Sequence, residues 1–147
     1  MGLIGNFEHK LDAKGRLVIP ACFREELGTR FVATTIDKTC ISLYSECNWE
    51  EVVLRLNEAS TNEASTQSSK AAIMKRRILA YSFKQEIDSM GRTLIPETLR
   101  LAAGITGDVC INGNNKKLEI WDSVRWKQFI SDSEELIFDI NTLIPGL

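Results

Sequence analysis

At 147 residues the chain has room for one ordinary domain or two very small ones. Its 44% hydrophobic and 26% charged residues exclude a disordered chain, and no apolar run approaches the roughly 18 residues that span a bilayer. The formal net charge of −2 excludes simple electrostatic binding of nucleic acid by the whole chain, so any such role must rest on local basic groups or on many copies of them.

The N-terminus, MGLIGNFEHKLD, has too short an apolar part for a signal peptide, so a cytoplasmic protein without membrane partners is expected. Cys22, Cys40, Cys47 and Cys110 form no C-x-x-C pair, and His9 is the single histidine. That pattern offers no local zinc-ligand spacing, so free thiols in a reducing compartment, with no metal and no cofactor, are the expectation.

In chain order, FEHKL (7–11) reads as a strand with Phe7, His9 and Leu11 on one face. Asp12-Ala13-Lys14-Gly15 is a turn: the carboxylate accepts backbone N–H groups two residues on, and the glycine takes positive φ. Residues 16–19 return as a strand. Pro20 opens a helix whose Phe23 and Leu27 lie at i, i+4, and Gly28 stops it. FVATTI (31–36) and CISLY (40–44) are strands joined by Asp37-Lys38-Thr39. A helix follows, with Trp49, Val52, Val53 and Leu56 at helical spacing. NEASTNEASTQSSK (57–70) holds no apolar residue larger than alanine and reads as exposed helix end, loop, or both. AAIMKRRILAYSF (71–83) carries a helical stripe of Ala71, Met74 and Ile78. It also carries the one dense basic cluster, Lys75-Arg76-Arg77, read first as solvated surface.

From there the chain repeats itself. FKQEIDSMGRTLIPETLRLAAG (83–104) aligns without gaps on FEHKLDAKGRLVIPACFREELG (7–28), setting Arg100 on Arg24 and Gly104 on Gly28. With one residue added, LEIWDSVRWKQFI (118–130) aligns on ISLYSECNWEEVV (41–53). The second copy therefore predicts a turn at Asp88 to Gly91 and strands DVCIN (108–112) and KLEIW (117–121) joined at Gly113-Asn114-Asn115. A helix N-capped by Asp122 completes it. Trp49, Trp121 and Trp126 are expected in the core. A unit of this size buries only a marginal core alone, so the halves should share one. The expected boundaries are 1–56 and 81–130 for the repeats, 57–80 for linker and helix, and 131–147 for an acidic tail that docks on the body or on a neighbouring subunit.

No phosphate-binding loop, duplicated acid–base pair or metal constellation appears, so an enzyme is not expected. Asp12 and Asp88 are each followed four residues on by an arginine that would clamp the carboxylate as an ion, which suits a turn better than an acid–base dyad. The duplicated DxxGR turn leaves two readings open. In one it is purely architectural. In the other Arg16, with Lys14 and Lys10 near it, and Arg92 project from the rim to donate to phosphate or to guanine O6 and N7.

GNFEHKLDAKGRLVIPACFREELG, DSMGRTLIPETLRLAAG and GNNKKLEIWDSVRW resemble the MraZ family of bacterial transcription regulators over about residues 1–130. The resemblance implies an α+β, mainly β fold: a pseudo-two-fold AbrB-like (swapped-hairpin) β-barrel from two tandem SpoVT-AbrB-type βα repeats flanked by helices. It implies a nucleoid-associated, sequence-specific DNA-binding regulator, expected to repress. Its target would be short direct repeats in double-stranded promoter DNA upstream of its own operon, in the division and cell-wall gene cluster. It also implies ring-shaped homo-oligomers, octamers or similar, in which basic turns add up across copies, with no small-molecule substrate. The family's DNA-contacting arginine falls on Arg16, with Lys14 beside it, and on Arg92 in the second half. Asp12, Gly15, Asp88 and Gly91 match its turn framework. The chain departs from the family at the Ser/Thr-rich linker and at Ser45. The alternative class is an AbrB-like protein-interaction module of antitoxin type, for which the acidic tail is the feature to test.

Overall fold

The computed structural model describes residues 2–62 and 69–147. Most of the second NEAST lies outside the described residues; at the linker's near end, residues 57–62 continue a helix. The first half runs β1 (Leu3–Lys10), β2 (Arg16–Val18), α1 (Ala21–Leu27), β3 (Arg30–Thr34), β4 (Ile41–Ser45) and α2 (Glu46–Asn62). After α3 (Lys70–Ala80) the same series returns as β5 (Phe83–Glu86), β6 (Arg92–Leu94), α4 (Glu97–Ala102), β7 (Asp108–Asn115), β8 (Lys117–Asp122) and α5 (Ser123–Ser133). A 3-10 helix, Glu134–Asp139, and the short α6 (Ile140–Leu143) end the chain.

Local chemistry sets these boundaries. Pro20, at φ −53°, stands one residue before α1, and the N–H of Gly28, at φ +83°, closes that helix on Arg24 O. The Asp122 carboxylate accepts from Arg125 N at 3.3 Å and caps α5.

Most strands join one antiparallel, six-stranded sheet in the order β1-β7-β8-β4-β3-β5, while β2 and β6 form a separate two-stranded ribbon. Exchanging the halves leaves that order unchanged, so a pseudo-two-fold passes between β4 and β8. The outer strands cross over: β1 pairs with β7 of the second half, from Leu3↔Asn115 to Lys10↔Asp108, and β5 pairs with β3 of the first. Among the described residues no ladder joins β1 to β5, so hydrogen bonds do not close this sheet into a barrel.

Two sequence expectations change here. β1 begins at Leu3 rather than Phe7, because its ladder on β7 continues to Asn115. Gly113 is not a turn residue but lies inside β7, where an added Cβ would collide with the backbone of Leu3 and Ile4 on β1. The reversal comes later, with Asn115 at φ +57° just before Lys116.

Leu17, Phe23 and Ile41 from the first half and Ile95, Leu99 and Ile120 from the second are essentially fully buried in one cluster. Each such side chain contributes about 1.5–3 kcal/mol to folding. Neither half holds a core of its own. Trp121 is buried, with Trp126 at 5.2 Å and Phe129 at 4.9 Å between ring centroids, and Trp49 packs on Tyr44 at 5.8 Å. Among the described residues no helix is long and apolar enough to cross a membrane.

Candidate nucleic-acid interface

Both DxxGR segments fold the same way, from the carboxylate outward. Asp12 Oδ1 accepts from Lys14 N and Arg16 N, each at 2.9 Å, and Oδ2 accepts from Arg16 Nε at 2.7 Å. Asp88 repeats this with Met90 N, Arg92 N and Arg92 Nε, all at 2.9 Å. Gly15 N donates to Asp12 O and Gly91 N to Asp88 O at 3.0 Å, with the glycines at φ +82° and +77°. Bonding to the charged form favours it. The backbone N–H of Arg16 foremost holds the Asp12 carboxyl below the usual carboxylate range, and that of Arg92 does so for Asp88.

The turns are tied to each other through β2 and β6. Arg16 lies opposite Leu94, Leu17 opposite Thr93, and Val18 opposite Arg92. Opposite residues share a face and neighbours alternate. Leu17 and Thr93 therefore face the core, at 0% and 2% exposure, while Arg16, Val18, Arg92 and Leu94 share the outer face. Ile19 N donates to Gly91 O and Ile95 N to Gly15 O, both at 2.9 Å, so each half's strand end is bonded to the other half's turn.

The helices add a second pair of arginines. Arg24 Nε donates to Ile19 O at 2.8 Å and Arg100 Nε to Ile95 O at 3.1 Å. From there the Arg100 guanidinium reaches over Gly15, where an added Cβ would lie 2.9 Å from its Cζ, and Arg24 covers Gly91 still more closely. Alignment of the repeats marks Arg24 and Arg100 as matched, but it gives no sign that each serves the opposite turn.

The Arg16 and Arg92 side chains are 31% and 25% exposed. Each spends Nε on its aspartate, and among the described residues the two terminal nitrogens of each make no hydrogen bond, leaving a planar fork of donors. Lys14 stands exposed at the first turn, and its counterpart Met90 is 66% exposed. Lys10 lies further back, at the end of β1, paired with Asp108 at 3.5 Å. The turns and the arginines over them thus gather five cations, Lys14 with the four arginines, around two carboxylates, although the chain as a whole is acidic. Among the described residues no group of three or more His, Cys, Asp or Glu side chains is placed to hold a metal ion.

The fold and this site define a class: a duplicated α+β chain in which two arginine-bearing turns are joined across a pseudo-two-fold on a two-stranded ribbon. The chain belongs to the MraZ family. The family model described as "MraZ protein, putative antitoxin-like" matches residues 3–71 and 78–142. A protein of Thermoanaerobacter sp. (strain X514) named transcriptional regulator MraZ is 38% identical over 132 residues, 90% of this chain and 89% of its own. Proteins of the same name are 36% identical in Symbiobacterium thermophilum, over 93% of this chain and 96% of theirs, and 34% identical in Pediococcus pentosaceus, over 93% and 92%.

Proposed function

We propose that this chain is a transcriptional regulator that reads promoter DNA through the outer face of the β2–β6 ribbon and its two turns. The observation that carries the reading is that Arg16 and Arg92 share that one face with their donor forks uncommitted. A two-stranded ribbon fits the major groove, and a guanidinium fork suits guanine O6/N7 or a phosphate. Val18 and Leu94, 39% and 56% exposed between the arginines, suit contact with a thymine methyl. Lys14, and Lys10 behind it, add phosphate contacts on the first turn, whereas Met90 adds none on the second. The first turn accordingly does more of the binding.

In this reading the repeats are 1–56 and 81–130, and the crossing of β1 and β5 between halves is the tandem form of an AbrB-like swapped-hairpin barrel. The protein is nucleoid-associated in the cytoplasm and assembles as a ring, octameric or similar. It represses from short direct repeats upstream of its own operon, in the division and cell-wall gene cluster. Ring assembly supports binding by a chain of net charge −2, because each copy brings its own cluster of cations to one DNA. Footprinting the purified protein on that upstream DNA tests the reading: protection of spaced direct repeats is expected, and uniform non-specific protection contradicts it.

A further inference from the structure

Folding does not use the terminal nitrogens of Arg24 and Arg100. Each arginine is half-buried on the helix that follows a ribbon strand, and each is held through Nε alone, on Ile19 O or Ile95 O. Among the described residues neither forms an ion pair, and neither donates a hydrogen bond from its terminal nitrogens. A Cβ built on Gly15 would lie 2.9 Å from Arg100 Cζ, 3.0 Å from Nη2 and 3.3 Å from Nε. Such near-equal distances set the glycine against the flat face of the guanidinium. Its N–H groups lie in the plane of that face, so they point past the turn and not into it. Arg24 covers Gly91 in the same way, with Cζ and both terminal nitrogens over the glycine.

Each turn therefore carries two guanidinium groups, one from its own strand and one from the opposite half's helix. The first gathers Arg16, Arg100 and Lys14 around Asp12, and the second gathers Arg92 and Arg24 around Asp88. Like charges brought together repel, and half-buried donors without partners leave their desolvation uncompensated. An anion with several acceptor oxygens relieves both, and phosphate takes arginine forks from more than one side. Placement points the same way. A ribbon in the major groove turns its centre to the base edges, while the phosphate backbones run along the walls of the groove. Arg16 and Arg92 stand on the ribbon's outer face, whereas Arg100 and Arg24 cover the turns at its two ends.

We propose that Arg24 and Arg100 each grip a DNA backbone phosphate beside the base contacted at the turn they cover, Arg100 at the Arg16 turn and Arg24 at the Arg92 turn. Phosphate contacts fix a protein's register on the duplex without reading sequence. Because each arginine serves the other half's turn, one half sets the register in which the other reads. The proposal rests on the reading of the ribbon as the DNA-facing surface, and parallel measurements on Arg16→Ala let the two fail separately.

The test measures fluorescence anisotropy of the upstream repeats and of a scrambled duplex over a salt series, with full-length Arg24→Gln, Arg100→Gln and Arg100→Lys. Each is used at a temperature where it keeps wild-type circular dichroism. Both glutamine variants should bind the two duplexes about tenfold or more weaker, by the same factor for each, with the salt slope reduced by about one per phosphate lost. Arg100→Lys keeps the charge and should keep the slope while losing part of the affinity. Wild-type affinity in the glutamine variants overturns the proposal. So does a fall in preference for the repeats at unchanged slope, which would mean that Arg100 props the turn and touches no phosphate. Should a glutamine variant not fold, phenylglyoxal modification of the wild-type protein, read by peptide mass spectrometry, gives the answer. Arg24 and Arg100 should be protected by the scrambled duplex as well as by the repeats, and undiminished reactivity under saturating DNA overturns the proposal. If Arg16→Ala loses the repeats while Arg100→Gln binds as wild type, only the phosphate grip falls; if Arg16→Ala binds as wild type, the ribbon reading falls.

Discussion

The Arg24 guanidinium lies over Gly91, a residue of the other half's turn, while its Nε is fixed on Ile19 O at 2.8 Å. Arg100 and Gly15 repeat the relation in reverse. Glycine is therefore required twice over at these positions, for the positive φ and for the room an arginine takes. Gly91→Ala should destabilise the fold by about 1–2 kcal/mol for the backbone conformation alone, and further by displacing Arg24. In a denaturant titration the double variant Gly91→Ala/Arg24→Ala should cost less than the sum of the two single ones, since the collision is gone. Additive costs would mean that Arg24 and Gly91 do not touch.

Acid should loosen the turns before it unfolds the core. A carboxyl whose folded pKa lies below its unfolded value of 3.8 stabilises the fold above pH 3.8, and that contribution is lost as pH falls through the folded value. Carbon-detected NMR titration should place the Asp12 and Asp88 midpoints below the unfolded value of 3.8. Ordinary midpoints at both would show that the backbone bonds of the turns are not formed in solution.

The four thiols divide evenly. Cys22 and Cys47 are exposed, Cys40 and Cys110 buried. Burial pushes the Cys40 thiol up to about 11 and raises that of Cys110, so neither supplies thiolate near neutrality. An aromatic disulfide reagent at pH 8 should consume two thiols quickly and the other two only on unfolding. Because the folded Cys40 value is raised above the unfolded 9.0, its contribution to stability is complete below pH 9 and is lost as pH climbs through about 11. Fast reaction of all four thiols in the native protein would contradict the packing of Cys40 and Cys110 beside Trp121.

Gly113→Ala should part β1 from β7, since the added Cβ meets backbone that cannot swing aside. A loss of about 2 kcal/mol or more is expected, with faster hydrogen exchange at the β1 amides than at those of β8. Unchanged protection along β1 would place that strand elsewhere.

What the sequence discloses here is what local chemistry decides. Asp12 and Gly15 predict their turn, Gly28 its helix end and Asp122 its cap, because a side chain and a backbone group a few residues apart settle each one. The crossing of β1 to β7 joins residues about a hundred positions apart, from Leu3 with Asn115 to Lys10 with Asp108, and nothing local at Leu3 announces it. Gly113 misleads for the same reason: glycine marks close backbone approach as readily as a turn, and only the tertiary neighbour says which. Arg24 and Arg100 stand in plain view in the repeat, yet their work is done on the other copy. The tail's exposure also escapes the sequence, which allows docking on the body, whereas the structure leaves residues 134–147 uncovered.

The central claim, that the turn arginines read DNA, is tested most directly by mobility shifts of Arg16→Ala and Arg92→Ala on the upstream repeats at fixed ionic strength. Arg16→Ala should cost about 1–3 kcal/mol per contacted site, summed over the sites a ring engages, and Arg92→Ala less, while the assembly sediments unchanged. The wild-type affinity should fall linearly in log–log form with salt, and loss of a phosphate-bound Lys14 should reduce that slope by about one. If Arg16→Ala binds the repeats as tightly as wild type, the outer face of the ribbon is not where this protein meets DNA.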